Sequence, residues 1–283
     1  MTAAAEAARV GRARAAFLPR AWAFARHHAL SLYAALALAY LFLPIAVIIA
    51  FSFNEPRGRF NYVWSGFTLH NWTDPFAVPG LLDAMIVSLK IAALASLVAT
   101  VLGTLIALAL VRYRFTARGG TNLFIFLPMS TPEVVMGASL LALFLNLGVE
   151  RGFWTIFIAH VMFDISFVVV TVKARLVGFD RHLEEAAMDL FATPWATFTR
   201  VTLPLIAPAI LAGALIAFAL SIDDFVITNF NAGQTVTFPL FIWGAARVGI
   251  PPQVNVMGTI IFVAAVAFML ANVLVQHRRS KGA

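Results

Sequence analysis

Four acidic residues lie well inside apolar stretches of this 283-residue chain. They are Glu133, Asp164, Asp223 and Asp224. The apolar stretches contain a single lysine, Lys90. A charge in lipid costs at least about 2.5–3.5 kcal/mol, so we expect these side chains to face protein or water. Carboxylates bind ammonium groups, with aromatic faces as auxiliary partners. The pattern predicts an anionic path for a polyvalent organic cation.

Each of these acids also has a purely structural interpretation. Asp164 follows His160 by four residues, which places both on one face of a helix and allows a closed internal pair. Glu133 pairs with Lys90 or with another subunit in this interpretation, and the two adjacent aspartates cap loops or contact a partner. The residues alone leave both interpretations open.

The motifs of ATP hydrolysis and metal chemistry are absent from the sequence. A phosphate-binding G-x-x-x-x-G-K-[ST] loop is excluded, because the three lysines follow Leu89, Val172 and Ser280. There is no H-E-x-x-H pattern, no identifiable pair of nucleophile and base, and no cysteine. We therefore expect no enzymatic activity and no metal site, and any ATP hydrolysis must come from another chain.

A charged and aromatic island lies between two apolar segments, from Arg181 to Pro204. Its first part consists mostly of good helix formers. Thr193-Pro194 is a helix-start signal, a hydroxyl cap followed by proline in the first turn. We expect a helix, a turn and a second helix of about residues 194–202, with Pro204 opening the next segment. Its large apolar side chains, outside the membrane, would form an interaction site.

The composition predicts a polytopic membrane protein. Hydrophobic residues make up 61% of the chain and charged residues 12%, against about 25% charged in soluble domains. Six apolar segments reach the roughly 20 residues that a helix needs to cross lipid. They are about Leu30–Phe53, Leu81–Val111, Thr121–Leu147, Gly152–Val172, Pro204–Thr228 and Val254–Val275.

The basic residues predict the orientation. With six crossings both termini lie on one side, and that side carries fifteen of the 20 Lys and Arg residues, against four on the other. By the positive-inside rule, both tails and the island are cytoplasmic. The net charge of +7 follows from this topology, so it does not indicate nucleic-acid binding.

We divide the chain into a transmembrane domain and two basic tails. The N-terminal tail covers residues 1–29, of which 14–28 suit either a helix in the headgroup region or a frayed end. The transmembrane domain covers residues 30–275 and includes the island at 180–204. The C-terminal tail covers residues 276–283.

The island resembles the loop by which permeases of bacterial ATP-binding-cassette (ABC) importers dock on a cytoplasmic ATPase. The family pattern is Glu-Ala-Ala, three residues, Gly, nine residues, Ile, one residue, Leu-Pro. The chain matches it at residues 185–187, Leu203 and Pro204, with Val201 in place of Ile. Phe191 occupies the glycine position, and a large side chain adopts positive φ with difficulty. The resemblance therefore implies either a different turn or a Phe191 side chain that enters the partner's groove.

Four further stretches narrow the resemblance to the second permease subunit of spermidine/putrescine-type ABC importers. They are residues 88–92 (SLKIA), 112–115 (RYRF), 132–137 (PEVVMG) and 221–228 (SIDDFVIT). The resemblance implies an all-α membrane protein with six transmembrane helices of the ABC importer permease type. A cytoplasmic helix-turn-helix loop would couple it to the ATPase.

This resemblance implies a permease that forms half of a polyamine path in the bacterial inner membrane. Its partners would be a sister permease, two copies of an ATPase that bind ATP-Mg, and a periplasmic or lipid-anchored binding protein, with lipid around them. The implied coupling residues are Glu184, Glu185, Ala186, Ala187, Asp189, Phe191, Trp195, Phe198 and Pro204.

Three alternatives stay open. The chain is an ABC permease for another small solute, or a secondary transporter or channel that works without ATP, or a membrane anchor that does not transport. The second alternative lacks the inverted repeats expected of such transporters.

Overall fold

A computed structural model describes residues 29–281. The interfacial helix considered within residues 14–28 lies outside the described residues. The described part is helical apart from loops and one isolated bridge between Asn54 and Phe67. The helices are α1 (Ala29–Ser52), α2 (His70–Thr73), α3 (Leu81–Arg112), α4 (Arg118–Ser130), α5 (Glu133–Asn146), α6 (Phe153–Val177), α7 (His182–Asp189), α8 (Pro194–Thr197), a π-helical turn (Phe198–Thr202), α9 (Leu203–Asp223), α10 (Val226–Asn231), α11 (Phe238–Val248) and α12 (Pro252–Lys281).

The described residues divide into two compact units, one of those up to Ala77 together with those from Pro251, and one of Val78–Ile250. In the first unit, buried asparagines fix the loop after α1. The Asn54 amide donates to Asn61 Oδ1 at 2.6 Å, and the Asn71 amide donates to the carbonyl of Asn54 at 2.9 Å. These bonds satisfy backbone and side-chain groups that burial would otherwise leave unpaired.

The second unit is built on a core of α3, α6 and α9, in which small residues allow close packing. A Cβ added at Gly103 would lie 2.7 Å from Val168 Cγ1, and one added at Gly213 would lie 3.4 Å from it. Val168 itself is fully buried. Glycines on α3 and α9 thus meet the same side chain of α6, as is usual where membrane helices approach closely.

The third predicted segment is not a straight helix. It forms α4 and α5, which are bent by 108° at Thr131-Pro132. Thr131 is extended, with ψ 132°, because a residue before proline is pushed out of the helical region. Glu133 therefore begins α5 instead of lying in the middle of a span, and its side chain is exposed.

The fifth predicted segment has different ends from those expected. Pro204 does not open it, because α8, the π-helical turn and α9 form one continuous helix, Pro194–Asp223. Proline lacks the N–H that an α-helix would use, and the wider π turn directly before it, closed by the Leu203 N–H on the Phe198 carbonyl, accommodates this. The helix ends at Asp223, and residues 226–228 belong to α10.

Five helices of the described residues are long and apolar enough to cross a membrane, and the bent α4–α5 pair brings the number to six if it counts as one span. The predicted all-α membrane fold is therefore confirmed. The first segment, expected at about Leu30–Phe53, is observed as Ala29–Ser52.

Candidate coupling surface and buried carboxylates

The predicted helix-turn-helix is present in the island. Thr193 caps α8 as expected, and its Oγ1 accepts a hydrogen bond from the Ala196 N–H at 3.3 Å. At the end of α7 the Phe191 N–H donates to the Met188 carbonyl at 2.9 Å, and the Ala192 N–H donates to the carbonyl at 187 at 3.1 Å. These two bonds define a Schellman cap, which satisfies carbonyls that the helix end leaves free.

Phe191 takes the left-handed conformation that such a cap needs, with φ 62°. Of the two alternatives stated for this position, an altered turn is therefore not observed. This conformation costs a non-glycine residue roughly 1–2 kcal/mol. The Phe191 side chain is 96% exposed, so contacts within the described chain do not offset that cost.

Glu184 and Glu185 face opposite ways. The Glu184 carboxylate accepts hydrogen bonds from Arg112 Nη2 and Thr202 Oγ1 and is 9% exposed, whereas Glu185 is exposed. Arg181 Nη2 also donates to the carbonyl at position 111 at 3.2 Å. Glu184 thus joins α7 to the end of α3 and to the π-helical turn.

The island exposes several large apolar side chains, which together we call the coupling surface. Its described members are Leu183, Met188, Leu190, Phe191 and Trp195, all exposed. The predicted residues Glu185, Ala186 and Asp189 are exposed beside them, whereas Ala187 and Phe198 are half-buried. Pro204 lies in the first turn of α9 and is exposed.

An exposed charge pair begins α7. Asp180 Oδ1 accepts from the His182 backbone N–H at 3.0 Å and pairs with His182 Nδ1 at 2.7 Å. The side-chain hydrogen bond to Asp180 raises the pKa of His182, and the same bond lowers the pKa of Asp180. The interaction is therefore complete between the ordinary pKa values of aspartate and histidine, and it is lost as pH rises through the raised pKa of His182 or falls through the lowered pKa of Asp180.

Among the predicted path residues, Asp224 is held in a buried polar cluster. His160 Nε2 contacts Asp224 Oδ2 at 3.2 Å and Thr228 Oγ1 at 2.9 Å, and His160 Nδ1 contacts Ser221 Oγ at 2.7 Å. The Thr228 N–H donates to Asp224 Oδ2 at 2.7 Å, so the carboxylate satisfies a free backbone N–H in the first turn of α10. The cluster joins α6 to the break between α9 and α10.

The other predicted path residues are not part of this cluster. The considered Asp164–His160 pair does not form, because the imidazole is occupied by the three groups just described. Both Asp164 carboxylate oxygens are buried and lack a hydrogen-bond partner among the described residues. Asp223 is exposed. Glu133 and Lys90 are both exposed and form no ion pair in the described part of the chain.

Sequence reasoning missed several partner residues. Arg112 and Thr202 hold Glu184, yet the sequence showed them only as a basic residue and as part of the island. Ser221 and Thr228 lie within the stretch 221–228, whose hydroxyls at three-residue and four-residue distances from Asp224 were a usable signal.

Comparison with known proteins identifies the family. Residues 99–278 match the family described as the binding-protein-dependent transport system inner membrane component. The chain belongs to this family. It is a multi-pass inner-membrane component of a transport system that works with a binding protein, and not an enzyme.

Relatives in this family have closely similar sequences. The spermidine/putrescine transport system permease protein PotC of Escherichia coli is 39% identical over 86% of this chain and 92% of its own length. The putrescine transport system permease protein PotI of Escherichia coli is 38% identical over 80% of this chain and 83% of its own. A PotC homologue of Mycoplasma pneumoniae is 30% identical over 87% of this chain and 90% of its own length.

Solved structures support the fold. A bacterial ABC transporter that imports the acidic polysaccharide alginate matches 91% of this chain and 96% of its own chain, with a TM-score of 0.63 and 15% identity. An amino acid ABC transporter crystallised with histidines matches 74% of this chain and 96% of its own chain, with a TM-score of 0.56 and 18% identity. The chain therefore has the fold of an ABC importer permease.

Glu184→Gln tests whether the inward carboxylate positions the island. The substitution keeps the size of the side chain but removes its charge, and hydrogen bonds to a charged group contribute about 1.5–3 kcal/mol. Amide hydrogen exchange in α7 and the turn after it should become roughly tenfold faster or more. Glu185→Gln, one residue away and exposed, is the matched control and should leave exchange unchanged. Equal exchange in the two variants would contradict the anchoring role.

Proposed function

We propose that this chain is a permease subunit of an ATP-driven ABC importer for polyamines such as spermidine and putrescine, and that it forms half of the translocation pathway. A sister permease provides the other half, two copies of an ATPase bind ATP-Mg, and a binding protein delivers the cargo. The observation that carries this proposal is the coupling surface, an exposed apolar patch on a capped helix hairpin. The relatives' names and the acidic residues support the choice of cargo.

The coupling surface is the docking site for the ATPase in this proposal. Large apolar groups exposed outside the membrane mark interaction sites, and a short helix laid in a groove is a common mode of docking. Phe191 and Trp195 are its most prominent aromatic side chains. Aromatic anchors of this kind supply much of the binding energy of protein interfaces.

Force from the ATPase passes into the membrane through one continuous helix. Trp195 lies in the first turn of the helix Pro194–Asp223, and the adjacent acids Asp223 and Asp224 lie at its other end. Thirty residues at about 1.5 Å each give a lever roughly 45 Å long. Glu184 links α7 to this lever through Thr202 and to α3 through Arg112. Movement of the hairpin therefore tilts α9 and α3 together and rocks the acidic end.

The acids along this lever suit a cationic cargo. Asp223 is exposed at the end of α9, Asp224 follows it, and Asp164 is deeper on α6. Glu133 at the break between α4 and α5 adds a further exposed carboxylate. Ammonium groups form charge-assisted hydrogen bonds with carboxylates, and this set of residues offers four of them.

The orientation places the coupling surface in the cytoplasm, together with both termini. The basis is the distribution of Lys and Arg, fifteen of which fall on the tails, on the α3–α4 connection with its flanking helix ends, and on the stretch from Lys173 through the island. The acidic end of the lever then faces the outside, where a binding protein releases its cargo.

Uptake measurements test the function. The chain, reconstituted in proteoliposomes with its sister permease, its ATPase and its binding protein, should accumulate radiolabelled putrescine or spermidine only when ATP is supplied on the ATPase side. Uptake of another solute alone would support the ABC permease for a different cargo. Transport by the purified chain without ATPase would contradict the proposal.

Phe191→Gly tests whether binding of the ATPase uses the aromatic side chain of Phe191 or only the turn that this residue forms. Glycine adopts the left-handed conformation without cost, so the hairpin should keep its shape while it loses the aromatic group. If Phe191 enters the partner's groove, affinity for the ATPase, measured by titration of the permease pair in nanodiscs, should fall by about tenfold or more. Val177→Ala, at an exposed apolar position outside the coupling surface, is the control. Equal or tighter binding of the glycine variant would restrict the role of residue 191 to the turn.

A further inference from the structure

Asp164 is a fully buried carboxyl group that this chain does not satisfy. Its exposure is 0%, and neither oxygen has a hydrogen-bond partner among the described residues. A buried carboxylate without a partner is strongly destabilising, and buried charges are normally paired or bound to a cation. The described chain supplies neither. In this conformation the carboxyl group is therefore neutralised by a proton, and it becomes a charged site only with a ligand or in a conformation in which its surroundings differ.

The depth of Asp164 is that of a transport site. It is the twelfth of the 25 residues of α6, which places it about 16 Å from the start of the helix. The hydrocarbon layer is about 30 Å thick, so the carboxyl lies near its middle. Secondary transporters commonly bind their cargo near this midplane, and we apply the same expectation to this chain.

The register between α6 and α9 locates the surroundings of Asp164. His160 contacts Ser221 at 2.7 Å, and two turns deeper Val168 packs against Gly213. Asp164 lies halfway between these contacts on the same face of α6, level with Ala217. Ala217 is fully buried. One small side chain thus lies level with the carboxyl group on α9, and it leaves room for a ligand once the two helices separate.

Three carboxyl groups, two at the end of α9 and one on α6, lie at increasing depth in the membrane. Asp223 is exposed, the Asp224 side chain is 7% exposed and contacts His160, and Asp164 lies one turn beyond His160. The last two carboxylates are therefore offset by about one helical turn, roughly 5.4 Å. Apart from His160, no basic side chain of the described residues forms an ion pair with any of the three.

We propose that Asp164 is the inner binding site for an ammonium group of the cargo, occluded in this conformation and opened when α6 and α9 separate during the transport cycle. The inference rests on the proposed polyamine import and names the residue that receives the cargo midway. A diammonium ligand with a short aliphatic chain then bridges Asp224 and Asp164. Each of its charged ends forms charge-assisted hydrogen bonds with one carboxylate.

Asp164→Asn separates this role from a structural one. If the buried carboxyl group of Asp164 only destabilises the fold, its replacement by an amide should raise the thermal unfolding temperature and leave uptake unchanged. If it binds cargo, the unfolding temperature should still rise, but ATP-driven uptake of radiolabelled putrescine by the reconstituted complex should fall by about tenfold, since hydrogen bonds to a charged group are lost. Asp83→Asn, at an exposed acid in the first turn of α3, is the control.

The absence of cysteine from the chain provides a second test that does not depend on uptake by the variant. In a complex with cysteine-free partners, Asp164→Cys should react with a cationic methanethiosulfonate reagent during ATP turnover and stay unreactive without ATP. Val168→Cys, one turn deeper and equally buried, is the matched control for general loosening.

The outcomes distinguish this inference from the proposed function. If the unaltered complex does not take up putrescine or spermidine, the proposed function fails. If it does, and Asp164→Asn transports as well as the unaltered chain, only the role of Asp164 is overturned. A cysteine at 164 that stays unreactive in every nucleotide state, or that reacts no faster than one at 168, would also overturn it.

Discussion

The hydrogen-bonded carboxylate of Glu184 is the interaction on which the arrangement of the helix hairpin in the island depends. It joins three elements that are distant in the sequence: α7, the end of α3 through Arg112, and the π-helical turn through Thr202. α7 is also held by its packing against α8 and the π-helical turn and by the exposed bond from Arg181 to the carbonyl at position 111. The Glu184 bonds add a direct link from α7 to the end of α3 and to the helix that continues as α9.

The same principle, that a buried polar group needs a partner, organises the other end of the lever. Asp224 is satisfied by His160, Thr228 and the first turn of α10, so the break after α9 is held in one conformation. Asp164 differs from Asp224 and Glu184, because among the acidic side chains of the described residues it is the one whose oxygens are buried without a hydrogen-bond partner. A buried carboxyl group without a partner indicates a site that another molecule or another conformation completes.

Much of this architecture could be predicted from the sequence, because lipid imposes strong constraints. Apolar length located the spans, the Thr193-Pro194 cap located the second helix of the hairpin, and the Glu-Ala-Ala pattern indicated the family. The bend at Pro132 and the continuity through Pro204 could not be predicted. A proline signals a missing hydrogen bond, but whether the helix breaks or widens into a π turn depends on its neighbours in space.

Side-chain partners were harder to predict than elements. The spacing of His160 and Asp164 favoured a local pair, yet contacts from α9 and α10 occupy the imidazole, and only the packing of three helices reveals this. The inward direction of Glu184 and the outward direction of Glu185 follow from the rotation of α7 against α3. A helical pattern of eight residues does not determine that rotation.

Cross-linking of the hairpin to the ATPase tests the central claim most directly. A single cysteine at Met188, on the coupling surface of this cysteine-free chain, would be paired with single cysteines along the groove of the ATPase in the assembled complex. The account predicts an efficient cross-link at one position of the groove, retained through the nucleotide cycle, because the hairpin stays docked on the ATPase and moves with it. Failure to cross-link at any position in any nucleotide state, in a complex that still transports, would contradict it.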